Sequence, residues 1–114
     1  MYEGRQDLWD VTATVDLTGS QYLLVQLDGT LSGAGEYGFV LVDAPASGSP
    51  GSIVVNGITK VVASTTVVAG VFVTSDAAGK AITATGTDVI VGLALTGAAS
   101  ADELFTIVVA SGVA

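Results

Sequence analysis

The residues of this chain that could do chemistry are few, and the most suggestive group is Asp76-Ala77-Ala78-Gly79-Lys80. An acid, a glycine and a cation in five positions could cradle phosphate or hold a metal. A phosphate loop places Gly-rich backbone at the start of a helix, usually with Ser or Thr after the lysine. Here Ala81-Ile82-Thr83 reads as a strand. A calcium loop needs six to eight oxygens, with carboxylates at alternate positions, and Asp76 has no acidic neighbour within ten residues on either side. The segment therefore reads as a hairpin corner, in which Asp76 accepts bonds from local backbone and Gly79 takes a positive φ.

The other candidates are weaker. The 114 residues include no Cys and no His, which removes disulfides, thiolate ligands and the commonest general base. Asp102-Glu103 is the only adjacent acidic pair; neighbours on a strand face opposite ways, so the pair reads as a solvated turn. Ser and Thr are plentiful, but a nucleophile needs a base, and Lys60 or Lys80 could serve only if buried. No catalytic set, metal site or cofactor is expected. Three cations (Arg5, Lys60, Lys80) against eleven carboxylates give a net charge of −8. Cations this few and scattered do not displace counterions, which argues against nucleic acid as a direct partner. No apolar run reaches the roughly 18 residues of a membrane span. The start, MYEGRQDLWD, lacks the apolar region of a secretory signal, so synthesis and folding in a cytoplasm are expected.

The elements that must position these residues read as strands. Short β-branched runs separated by Gly and Ser predict strands near 11–17, 22–27, 38–42, 52–55, 58–63, 70–74, 81–85, 89–96 and 104–110. Asn56-Gly57 between two such runs signals a type I′ hairpin. Residues 99–104 (ASADEL) could form one helical turn, with Ser100 as cap and Glu103 three residues on. Residues 38–55 and 92–109 echo one another without a gap, sharing Gly38/Gly92, Leu41/Leu95, Ala44/Ala98 and a terminal Ile-Val-Val. They predict a strand–loop–strand unit used twice. The fold class expected is all-β, a small barrel or sandwich of short strands, with residues 11–114 as a single domain. Residues 1–10 lack strand alternation and read as an extended N-terminal arm. Tyr2, Leu8 and Trp9 would be its apolar anchors and Arg5 an ion-pair partner, laid on a partner surface. Tyr22, Tyr37, Phe39, Phe72 and Phe105 read as core or subunit contacts rather than a sugar platform.

The stretch GITKVVASTTVVAGVFVTSDAAGKAITATGTDVIVGLALTGAASADELFTIVV, with the earlier GFVLVDA, resembles the head decoration, or capsid cement, proteins of tailed bacteriophages. Shared features are Gly-x-x-Lys-Val, a Gly-opened strand, the DAAGKA corner, VIVGLAL and a closing Val-rich strand. Residues 1–36 depart from that pattern. The resemblance implies a non-enzymatic protein of the virion, on the capsid exterior. It would form a homotrimer, bind the major capsid protein and stabilise the head against internal DNA pressure. The alternative is a carbohydrate- or cell-surface-binding β module of a head fibre or adhesin, which would need clustered exposed aromatics.

Overall fold

The computed structural model describes residues 6–113, and the surroundings of side chains for residues 7–109. It contains no helix among the described residues. The strands are β1 (Gln6–Thr12), β2 (Leu24–Val25), β3 (Phe39–Leu41), β4 (Pro50–Val62), β5 (Phe72–Ser75), β6 (Ala81–Thr83), β7 (Val89–Ala94) and β8 (Leu104–Val113). They form one sheet in the order β2-β3-β4-β8-β7-β5-β6, with β1 paired to β4. All pairings between these strands are antiparallel.

The sheet curls into a nearly closed barrel. Contacts around the β5–β6 corner bring its ends together: the Leu24 N–H donates to the Gly79 carbonyl at 2.7 Å, and the Ser64 N–H to that of Ala81 at 2.8 Å. The interior is packed by Leu24, Val40, Val61, Val73, Val91, Phe105 and Ile107. A second, smaller core lies against β1, β3 and β4, where Val11, Ala13, Leu17, Val25, Leu41 and Ile53 pack together. Leu17 reaches it from the connection after β1, its N–H bonded to the Pro45 carbonyl at 3.0 Å.

Asn56-Gly57 does not make the hairpin expected of it. Residues 50–62 are one continuous strand, and Gly57 sits within it at φ 114°. A β-bulge stands beside it instead. Leu8 pairs with Val54 and Asp7 with Asn56, so Val55 is an extra residue on β4. A bulge exchanges the faces of all that follows. Before it, Val54 is fully buried opposite Val40. After it, Thr59 and Val61 are buried, while Lys60 is exposed and Ile58 and Val62 are half-buried. The signal for positive φ was real; the chain uses it to bend a strand rather than to reverse it.

Two other local expectations are corrected. The strand expected over 11–17 ends at Thr12, because Thr14 bonds the 28–29 turn instead: its N–H to the Gly29 carbonyl and its hydroxyl to the Asp28 carbonyl. Residues 99–104 form no helical turn. The Glu103 carboxylate accepts from the N–H groups of Ala99 (2.8 Å) and Ser100 (3.1 Å), and Asp102 at φ 67° turns the chain directly into β8.

Residues 6–10 belong to β1, so the strand crosses the boundary expected at residue 10, and residues 1–5 lie outside the described residues. Alternation failed as a guide because Asp7, Leu8, Trp9 and Asp10 are all exposed. Backbone pairing to β4, not burial of one face, holds that part of the strand.

The echoed segments are both antiparallel hairpins, β3–β4 and β7–β8, and they adjoin through the β4–β8 pairing. Their registers differ by one residue. Val40 faces Val54, but the equivalent Ala94 faces Ile107 rather than Val108.

Candidate functional site

The Asp76–Lys80 segment is a corner with the geometry expected from its residues. The Asp76 carboxylate accepts from the N–H groups of Ala78 and Lys80, both at 2.8 Å, and Gly79 has φ 78°. A Cβ on Gly79 would lie 2.9 Å from the Leu24 carbonyl oxygen, so glycine is required both for the turn and for closing the barrel. Partial burial pushes the Asp76 carboxyl upward. Bonds from Ser64, Lys80 and Ala78, with the Lys80 charge, outweigh it and hold the group below the ordinary carboxylate range.

Lys80 does not reach out for a ligand. Its ammonium bonds the Asp102 carboxylate at 2.6 Å, tying this corner to the β7–β8 connection. That bond and charge hold the lysine above its ordinary range. Asp102 and Glu103 thus act separately, one as ion-pair partner and one as turn acceptor. No group of acidic side chains that could hold a metal ion occurs among the described residues.

What the surface does offer is apolar. On β1, Leu8 and Trp9 are 50% and 61% exposed. Tyr2 and Arg5, expected to act with them, lie outside the described residues. Near β1, a groove of about 230 Å³ is lined by Tyr37, Phe39, Val55, Val89, Ile90 and Val109, among others. Tyr37 and Phe39 meet edge to face, 6.2 Å between centroids at 68°. Of the other aromatics, Phe105 is core, Tyr22 packs against the core, and Phe72 is exposed.

Sequence reasoning missed a second surface, the outer wall of the barrel over β4, β8, β7 and β5. Directly paired residues share a face of a sheet. Ile58 pairs with Val108, Val108 with Leu93, and Leu93 with Phe72, making one apolar row across four strands. Leu95 and Leu104, 43% and 47% exposed, extend it. The signal available was the lack of polar alternation in GVFV and GLAL, which a one-sided sheet would ordinarily show.

The sequence matches the phage cement protein family over residues 4–111, and the chain belongs to that family. It is thus a capsid-associated phage protein, in a family of structural rather than enzymatic proteins. No curated protein matches the sequence. Among solved structures, the fold is similar to the N base of head fibre gp8.5 of bacteriophage phi29. The TM-score is 0.69 at 17% identity, covering 93% of this chain and 95% of the other.

Proposed function

We propose that this chain is a decoration protein of the capsid exterior. It binds the major capsid protein, sits on the head as a homotrimer and stabilises the shell against the pressure of packaged DNA. The observation that carries this reading is the family match over nearly the whole chain. The surface chemistry supports it: the clustered features are exposed apolar side chains on a sheet, suited to docking. Leu8 and Trp9, with Tyr2 and Arg5 before them, are the contact residues on the capsid or an adjacent subunit. A large exposed aromatic on a paired strand is the type of residue that dominates binding energy.

The experiment is binding of purified protein to undecorated heads of the phage that encodes it, with and without Trp9→Ala. A hot-spot residue contributes at least about 2 kcal/mol, or roughly 30-fold in affinity. We expect a loss of that order with an unchanged melting transition. Saturable wild-type binding that protects heads from heat supports the reading; absence of binding removes it.

A further inference from the structure

The barrel wall over β4, β8, β7 and β5 carries none of the carboxylates that give the chain its net charge of −8. None of these strands contains a carboxylate; the ten described carboxylates lie on β1 or in the connections. The wall's one charge is Lys60, exposed in the row next to Ile58–Val108 and directly opposite Thr106. It has no ion-pair partner among the described residues, whereas Lys80 is paired.

On this wall Phe72, Leu95 and Leu104 are exposed and Leu93 and Val108 half-buried, beside the unpaired Lys60. We infer that this wall is a docking surface for the capsid shell, taken by an apolar patch of capsid protein that presents a carboxylate to Lys60. The inference rests on the decoration reading and adds to it a surface distinct from the Trp9 strand.

Charge and size choose the occupant. A second copy stacked wall to wall across a two-fold axis would set Lys60 against Lys60 with no carboxylate between them; a three-fold neighbour would present a different face and is separated by the test below. At about 4.8 Å between strands and 3.3 Å per residue, the wall measures roughly 15 by 13 Å, or about 200 Å². A stable two-protein interface buries about 800 Å² per partner. The wall therefore cannot hold a free second copy on its own. On a shell it adds to the β1 contacts, and joined weak contacts multiply in affinity.

The test uses undecorated heads of the encoding phage and four proteins: wild type, Lys60→Glu, Lys60→Arg and Leu95→Asp. Both positions are exposed, so the melting transition is expected to stay within a few degrees. Head affinity is expected to fall at least tenfold in Lys60→Glu and in Leu95→Asp, and to stay near the wild-type value in Lys60→Arg. Should Leu95→Asp fail to fold, Lys60→Glu with its Arg control decides. Wild-type affinity in the Lys60→Glu variant overturns the inference while leaving the decoration reading intact. Failure of wild type to bind heads overturns both. Lys60→Glu chains that still decorate heads but no longer cluster in threes, or a wild-type oligomer in solution that Lys60→Glu dissociates, assign the wall to a second copy and also overturn it.

Discussion

Asp76 shows how a residue typed for chemistry is spent on structure. Its carboxylate gathers two backbone N–H groups at the point where the barrel closes, and hydrogen bonds to a charged group are worth about 1.5–3 kcal/mol each. Asp76→Ala is expected to lower stability by about 1–3 kcal/mol at neutral pH, less than the two bonds summed because the carboxylate is only half-buried and water can replace it, read from the urea midpoint. The sign of its pH dependence follows from the depressed carboxyl. Stability from Asp76 is present above the unfolded value of 3.8 and is lost as pH falls through the lower, folded value. Asp16 and Asp28 act in the same sense, held down by bonds from Thr18 and Thr30. The variant should therefore unfold in acid with a shallower slope than wild type below about pH 4, without losing the slope altogether. An unaltered acid limb would show that the Asp76 bonds survive protonation.

At the scale of elements, what could be read from the residues depended on whether a pattern reported burial or pairing. The strands Phe39–Leu41, Phe72–Ser75 and Val89–Ala94 were legible because β-branched runs between glycines signal buried strands. The corner at Asp76–Lys80 was legible because its turn chemistry is local. β1 was not, since its exposed half is held by backbone bonds to β4, which leave no mark on side-chain pattern. Nor was the Val55 bulge, because Asn-Gly announces positive φ without saying whether the chain then reverses or bends. The exposed wall was hidden for a related reason: apolar residues on both faces of a strand read as double burial. The bulge can be tested alone. Deleting Val55 would restore one parity along β4, aiming Ile58, Lys60 and Val62 inward and Thr59 and Val61 outward. Burying a lysine without a partner costs several kcal/mol, a large share of a small domain's total. The deletion is expected to abolish cooperative unfolding. A folded variant with a wild-type melt would mean that the β4–β8 pairing slips to absorb the change.

For the whole molecule, the question is how a chain so apolar and so acidic stays apart in solution and yet assembles. With a net charge of −8 on 11.3 kDa, encounter between copies is opposed at low salt. The exposed apolar areas are small: the wall is roughly a quarter of what one partner in a stable interface buries, and the Trp9 strand offers two large apolar side chains, Leu8 and Trp9. Neither suffices alone to pay the entropy of association, estimated at 4 kcal/mol or more. On a shell that entropy is lost once while several contacts form, so affinity rises without any new contact. The free chain is therefore expected to sediment as a monomer at micromolar concentration, and decorated heads to show density clustered in threes. Raising salt should weaken the repulsion and permit some self-association, since charges beyond about 10 Å are screened at 0.1 M. A salt-independent trimer in free solution would mean that the subunits are held by an interface larger than either surface described here. Decorated heads with the chain scattered singly would remove the homotrimer while leaving capsid binding in place.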